Sequence, residues 1–306
     1  MKTIEVMLAS YNGEKYIRTQ LDSILKQDCE KKGVANIHIT VRDDGSTDET
    51  VAIVREYVDK YPEKIRLVRG ENVGVIRGFF TMLKHANTAD YYAFSDQDDY
   101  WLPEKLSVAI SHLDTDDVPR LYSSATRLVD SDLKEIDSAI NRSDIKPSFR
   151  NAMLENVATG CTCVFNEALR AEVLYRLPVH IYMHDWWLYL VATAFGEYYY
   201  DETPYILYRQ HEGNVLGNDS GRVKELTNRV KRFKGNNDKL SKQLRDFVVI
   251  YKDKYPDNEC VALAKQMVTA KKSFAKRVKF VKESGVYRQR SGDNKAFKLL
   301  LLLGCY

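Results

Sequence analysis

The sequence predicts an α/β domain with a mostly parallel sheet, followed by a basic helical region. Three observations carry that expectation. Short apolar runs alternate with helix-period stripes over the first hundred residues, joined by loops of a few residues. Three of those runs stop abruptly at polar turns: Ser10-Tyr11-Asn12-Gly13, Asp43-Asp44-Gly45-Ser46 and Asp96-Gln97-Asp98-Asp99. The charge also changes sign along the chain. Residues 221–306 hold 22 Lys and Arg against 8 Asp and Glu, whereas residues 1–220 hold 24 against 35. A break of this kind marks a boundary and two different jobs.

In chain order, Ile4 to Ala9 reads as a strand and Ile17, Leu21, Ile24 and Leu25 as a helical stripe. Ile37, Ile39 and Val41 alternate as a second strand. Ser46-Thr47-Asp48-Glu49 reads as a capping box opening a helix with Val51, Val54 and Val58 on one face. Ile65 to Val68 is a third strand, and Asn72-Val73-Gly74 leads into a helix carrying Phe79, Phe80, Leu83 and Ala86. Tyr91 to Ser95 is the strand that ends at the acidic turn, and Pro103 opens a helix with Leu106, Ile110 and Leu113. Beyond residue 120, Leu121 to Val129 and Val157 to Phe165 read as strands. The run after Tyr182 reads as a helix, and Tyr198–Tyr200 and Tyr205–Tyr208 as short strands. The last 85 or so residues read as helices, with an amphipathic stripe at Leu240, Leu244, Phe247, Val248 and Tyr251.

An apolar content of 44% and a charged content of 29% are ordinary for a chain that buries a sizeable core. No leader is visible after Met1, and the longest late apolar run, Leu299 to Leu303, is far short of the roughly 20 residues that a spanning helix needs. Five cysteines, at 29, 161, 163, 260 and 305, are odd in number and poorly spaced for a disulfide framework or a zinc site. A reducing, cytoplasmic location is therefore expected.

Chemistry concentrates at the strand ends. Parallel sheets bind ligands at the carboxyl ends of their strands, so the three polar turns would share one crevice. Asp96, Asp98 and Asp99 place three carboxylates within four residues. They would repel one another unless a divalent cation such as Mg²⁺ or Mn²⁺ sat among them. The plainer alternative is a polar turn between a strand and a helix. A nucleotide suits the crevice, with turn amides and carboxylates on its base and ribose and a metal on its diphosphate. Neither G-x-G-x-x-G nor G-x-x-x-x-G-K-[ST] occurs, which argues against a dinucleotide dehydrogenase and a P-loop NTPase.

Five segments in order, Ser10-Tyr11-Asn12-Gly13, Asp43-Asp44-Gly45-Ser46, Asn72-Val73-Gly74, Asp96-Gln97-Asp98-Asp99 and His184-Asp185-Trp186, resemble family 2 glycosyltransferases of the GT-A fold over roughly residues 3–216. The phrases from Ser95 to Leu106, Met183 to Trp186 and Tyr208 to His211 are similar to rhamnosyltransferases that extend streptococcal rhamnan backbones. The resemblance implies a GT-A catalytic domain over 1–216, with a nucleotide-sugar half (1–100) and an acceptor half (101–216); the charge break and the helical stripes leave 217–306 as a basic C-terminal helical appendage. It implies inverting, metal-dependent transfer from a nucleoside-diphosphate sugar, dTDP-L-rhamnose first, to a cell-surface polysaccharide or lipid-linked glycan.

The implied roles follow residue by residue. Asp185 is the general base and Asp98 the principal metal ligand. Ser10, Tyr11, Asn12, Asp43, Asp44, Arg77, Asp96, Gln97, Arg209 and His211 face the nucleotide sugar. By residue type, Trp186 is read as stacking on the acceptor and Gly160 as letting the backbone approach it. Each role has a plainer counterpart: Asp185 as a helix cap, Arg77 paired with Glu71, His211 as a loop histidine, Trp186 in the core, Gly160 as a strand kink. The basic C-terminal region is read as a peripheral contact with the inner face of the plasma membrane, since no nucleic-acid motif accompanies its charge. Self-association is left open. A UDP-glucose or UDP-galactose donor, with the glycan on a surface glycoprotein, is the nearest alternative. A non-catalytic sugar-nucleotide scaffold and a nucleotidyltransferase are alternatives of other classes. Intact Asp98 and Asp185 argue against the scaffold, and the absence of a basic glycine-rich loop after the first strand argues against the nucleotidyltransferase.

Overall fold

The computed structural model describes residues 1–113, 117–136, 144–210 and 239–306. The N-terminal half alternates as the pattern requires: β1 (Lys2–Ser10), α1 (Ile17–Leu25), β2 (Ala35–Asp43), α2 (Thr50–Lys60), β3 (Ile65–Arg69), α3 (Val75–His85) and β4 (Tyr91–Ser95). Then come β5 (Tyr100–Trp101), α4 (Lys105–Ser111), β6 (Arg120–Ser124), β7 (Arg127–Val129), α5 (Phe149–Ala152), β8 (Val164–Asn166) and α6 (Glu167–Leu174). The long helix α7 (His184–Phe195) precedes β9 (Glu197–Asp201) and β10 (Ile206–Arg209). Four helices close the chain: α8 (Lys239–Tyr251), α9 (Glu259–Ala270), α10 (Phe274–Glu283) and α11 (Ser291–Leu303).

Seven strands form one sheet in the order β3-β2-β1-β4-β8-β6-β9. The pairs β3–β2, β2–β1, β1–β4 and β6–β9 are parallel, and β8 runs antiparallel to both β4 and β6. Side chains alternate across it as a strand's period of two demands. Ile4, Val6 and Leu8 of β1 pack with α1, α2 and α4, while Met7 packs on the other face with α3, α6 and α7. A second, three-stranded sheet, β5-β10-β7, forms across the chain: β10 pairs antiparallel to β5 and parallel to β7. It brings Arg209 back beside the acidic turn that follows β4.

Several local expectations are corrected. The Leu121–Val129 run breaks after Ser124, and its halves join different sheets. In the Val157–Phe165 run only the last two residues are strand, because Gly160–Thr162 forms a 3-10 turn closed by Thr162 N to Thr159 O (2.9 Å). The capping box at Ser46 does not form. Helix α2 starts at Thr50, and Asp48 Oδ1 accepts from Thr50 N (3.0 Å), which frees Ser46 to bond elsewhere.

The C-terminal helices complete the core rather than hang from it. Phe247 of α8 is fully buried against Phe149, Trp187 and Phe195, with ring centroids 5.4, 6.2 and 5.6 Å away. The stripe from Leu240 to Tyr251 is therefore buried, and the membrane contact expected of it is not available there. This also explains why α7 is apolar on all sides: α3, α5, α6 and α8 surround it. The expected boundary at 216–217 falls within residues 211–238, outside the described residues. Among the described residues no helix is long and apolar enough to cross a membrane. The five cysteines are all free.

Candidate active site

The carboxyl ends of β1, β2 and β4 meet as expected, and hydrogen bonds stitch their turns together. Asn12 takes the left-handed region (φ 48°), a conformation that asparagine tolerates better than most residues. Its N–H donates to Ser46 Oγ (2.8 Å), and its Oδ1 accepts from Thr47 N (2.9 Å). Gln97 donates to Tyr11 O (3.0 Å) and accepts from Tyr11 N (2.9 Å), so one amide pins that loop from both sides. Gly13 leaves room for that amide, since a Cβ at that position would lie 2.0 Å from Gln97 Oε1 and displace the Gln97 side chain. These bonds leave the Tyr11 side chain 48% exposed at the mouth of the crevice.

Asp43 and Asp44 sit deeper. Buried Asp43 accepts from Gly45 N (3.2 Å) and Ser46 N (3.0 Å), so its carboxylate shapes the turn. Ser10 Oγ donates to Asp43 Oδ2 (3.3 Å). Asp44 pairs with Arg42 Nε (2.8 Å) and accepts from Val73 N (3.3 Å). Arg42 also donates to the Glu71 carbonyl (3.3 Å), and Arg77 lies exposed on the first turn of α3, apart from this network.

At the end of β4, ligand atoms of Asp96, Asp99 and Cys161 lie within 4.8 Å of one another. Burial, then the charges of Asp98 and Asp185, push the Asp96 carboxyl up to about 7. Asp99 is fully buried, accepts from Arg209 N (3.3 Å), and is pushed well above the carboxylate range by burial and by Asp96 and Asp98. One Asp99 oxygen has no hydrogen-bond partner. Arg209, expected at the diphosphate, is itself buried. Its Nε donates to the Asp98 carbonyl (2.7 Å), its Nη1 donates to the Ser131 carbonyl, and its guanidinium covers the Tyr16 ring at 4.4 Å. It braces the acidic turn from behind. His211 lies outside the described residues.

Asp185 opens α7, with its Oδ1 accepting from Trp186 N at 2.7 Å. The helix N-terminus favours a negative charge there. Burial nevertheless raises its carboxyl to about 6, opposed by hydrogen bonds from Trp186, Asn156 and Gly160. Its neighbour His184 is stacked on Phe79 (4.2 Å) and edge-on to Phe94 (5.0 Å). Burial lowers that imidazole to about 3, so it is neutral and acts as an apolar wall beside the carboxylate. Gly160, expected to face the acceptor, lies against the base. A Cβ there would lie 3.0 Å from His184 Nε2 and 3.4 Å from Asp185 Oδ2, so its place is to let the backbone reach the base. Trp186, expected to face the acceptor, is 8% exposed, donates to the Ala152 carbonyl (2.6 Å) and rests on Tyr182 (4.9 Å). Helix α8 holds the approach to this base, since Asp246 accepts from Val179 N (2.8 Å) and His180 N (2.6 Å), and Gln243 accepts from Tyr182 N (2.8 Å).

Sequence reasoning missed Lys105. It is fully buried with its Nζ 3.6 Å from the Trp101 ring centroid, and burial lowers it to about 7 against the opposing pull of Cys161, Cys163 and Asp99. A lysine set among Leu102, Leu106 and Ala109 was the only available signal.

The sequence matches the family model for glycosyl transferase family 2 over residues 5–177. It is 33% identical over 221 residues to the dTDP-rhamnosyl transferase RfbG of Shigella flexneri, covering 69% of this chain and 73% of that one. In fold it is similar to residues 1–349 of S. aureus TarS in complex with UDP-GlcNAc (TM-score 0.57, 19% identity, 87% of this chain and 70% of that one). It is also similar to the mannosyltransferase PcManGT of Pyrobaculum calidifontis in complex with GDP-Man and Mn²⁺ (TM-score 0.53, 17% identity, 99% and 86%). With the α/β sheet, the acidic turn and a buried carboxylate at the head of α7, the match places this chain in glycosyl transferase family 2.

Proposed function

We propose that this enzyme transfers L-rhamnose from dTDP-L-rhamnose, with inversion, to a growing cell-surface polysaccharide or its lipid-linked precursor. The observation that carries the reading is that the Gly160-Cys161 turn touches both groups: a Cβ on Gly160 would lie 3.4 Å from Asp185 Oδ2, and the Cys161 sulfur lies within 4.8 Å of carboxylate oxygens of Asp96 and Asp99. The rhamnose donor is supported by the likeness to RfbG.

Inversion needs a single displacement at the anomeric carbon, with a base on the face opposite the leaving group. Asp185 has the properties of that base. It is desolvated, it is held by three donors, and its proton affinity lies near neutral pH, where a general base is most effective. It accepts the proton of the acceptor hydroxyl as the new glycosidic bond forms. Tyr11 offers an exposed ring to the base of the donor nucleotide, and the Gln97 bracket fixes its backbone.

The carboxylates fit a hard divalent cation. Asp96 and Asp99 have carboxylate oxygens within 4.8 Å of one another, and one buried Asp99 oxygen lacks a hydrogen-bond partner. Cys161 does not fit, since a soft sulfur ligand is mismatched to a hard cation such as Mg²⁺ or Mn²⁺. Asp98 and Asp96 would hold the ion, which when bound stabilises the charge of the departing diphosphate. Arg209 keeps Asp98 in place through its carbonyl.

Thermal-shift titration with dTDP and UDP, each with and without Mn²⁺, tests the reading. A larger shift with dTDP, dependent on Mn²⁺, supports it. A larger shift with UDP moves the donor to a UDP-hexose.

A further inference from the structure

The surface of α10 and α11 carries apolar side chains that the core does not use. Phe274 is 63% exposed, Leu299 57% and Leu303 61%. On α11, Lys295, Leu299 and Leu303 recur every four residues and share the outward face, while Phe297 and Leu301 point inward and are buried. Arg277 locks the two helices together there. Its Nε donates to the Leu302 carbonyl (2.8 Å), and its guanidinium lies 5.7 Å from the Phe274 ring. The beginning of α10 thus sits beside the end of α11, where Gly304 (φ 76°) caps the helix with Cys305 N bonded to Leu300 O (3.0 Å).

The setting is strongly basic. Residues 274–306 hold eight Lys and Arg against two acids, Glu283 and Asp293. Lys272, Lys276, Lys279, Lys282 and Lys295 are exposed, and Glu283, the one acid of α10, is 3.9 Å from Lys279. Exposed apolar side chains on helices that also carry exposed lysines are the composition of a surface that lies in an anionic bilayer interface.

We propose that Phe274, Leu299 and Leu303, with the lysines around them, form a docking surface for an anionic lipid bilayer. The apolar side chains enter the headgroup boundary, and the ammonium groups pair with the lipid charge. This surface differs from the buried α8 stripe and stands apart from the identity of the sugar transferred.

Flotation of the full chain tests it, with vesicles of phosphatidylcholine alone and of phosphatidylcholine mixed with phosphatidylglycerol. The wild type co-floats with the mixed vesicles, less so as salt rises, and stays behind with phosphatidylcholine. Each basic residue near such a surface contributes about fivefold to binding, so reversing Lys272, Lys276 and Lys279 to Glu lowers it at least about a hundredfold. The triple variant F274S/L299S/L303S also loses binding. Both variants change exposed side chains, so their melting temperatures and donor turnover match the wild type. Equal binding to both vesicle types, no binding at all, or variants that bind like the wild type would overturn the proposal. So would a self-association that the serine variant abolishes, because that assigns the face to a second copy. A chain that floats without turning over any donor would count against the catalytic reading alone.

Discussion

Asp185→Asn separates catalysis from stability more sharply than any other change. Burial lifts the Asp185 carboxyl from its usual 3.8 to about 6. At about 1.4 kcal/mol per unit, the folded chain carries up to about 3 kcal/mol of destabilisation from this charge above pH 6. The sign follows from proton affinity. The folded state holds this proton more tightly than the unfolded chain does, so the group favours folding in acid, and that contribution is lost as pH rises through about 6. Asparagine never ionises. It keeps an oxygen for Trp186 N but weakens the bonds from Gly160 and Asn156, costing about 1–2 kcal/mol. The net expectation at pH 7.5 is a gain of about 1–2 kcal/mol, or about 2–5 °C in melting temperature. Transfer falls by at least about a hundredfold. Calorimetry of the metal-free protein from pH 5 to 8, beside an initial-rate assay, reads both. Wild-type transfer by a folded Asn variant would refute the assignment as base, and a melting difference that ignores pH would refute the desolvation argument.

Other consequences follow from the same geometry. The wild-type kcat/KM rises about tenfold per pH unit below about 6 and levels off above it, because only the ionised base works; a profile flat from pH 5 to 7 contradicts this. Gly160→Ala crowds His184 and Asp185 and lowers kcat about tenfold or more while the chain still folds, as kinetics with circular dichroism would show. Phe247→Ala empties a fully buried ring site shared by α5, α7 and α8, costing about 3–5 kcal/mol in denaturant unfolding; a loss below about 1 kcal/mol would mean that α8 is an appendage after all. Asp98→Asn abolishes any Mn²⁺-dependent shift in melting temperature with dTDP and leaves the metal-free melting temperature nearly unchanged.

The N-terminal half was legible because its signals are local. Each strand of β1 to β4 is a short apolar run, each ends in a turn whose residues bond to the next turn, and each helix shows its stripe within ten residues or so. Asp185 was singled out by the resemblance that His184-Asp185-Trp186 carries, and the fold places it buried at the head of an apolar helix. What the sequence hid depends on distant pairing. Nothing near Arg209 says that β10 returns to β5 more than a hundred residues earlier, so its bond to the Asp98 carbonyl was not foreseen. Trp186 and Gly160 were assigned to the acceptor by type. In the fold one supports Ala152 and Tyr182, and the other makes room for the base. The stripe of α8 is amphipathic whether it faces a bilayer or a protein core, and only the aromatic ring of Phe149, Trp187 and Phe195 around Phe247 decides for the core.

The central claim is a rhamnosyl transfer carried out at Asp185 and the acidic turn. It is tested most directly by incubating the purified protein with dTDP-L-rhamnose, UDP-glucose and UDP-galactose in parallel, with Mn²⁺ and with EDTA, and measuring the nucleoside diphosphate released. Release from dTDP-L-rhamnose above the other two, lost in EDTA and in Asp185→Asn, is the predicted result. Release from a UDP-hexose in preference to dTDP-L-rhamnose, or release that Asp185→Asn leaves unchanged, would contradict it.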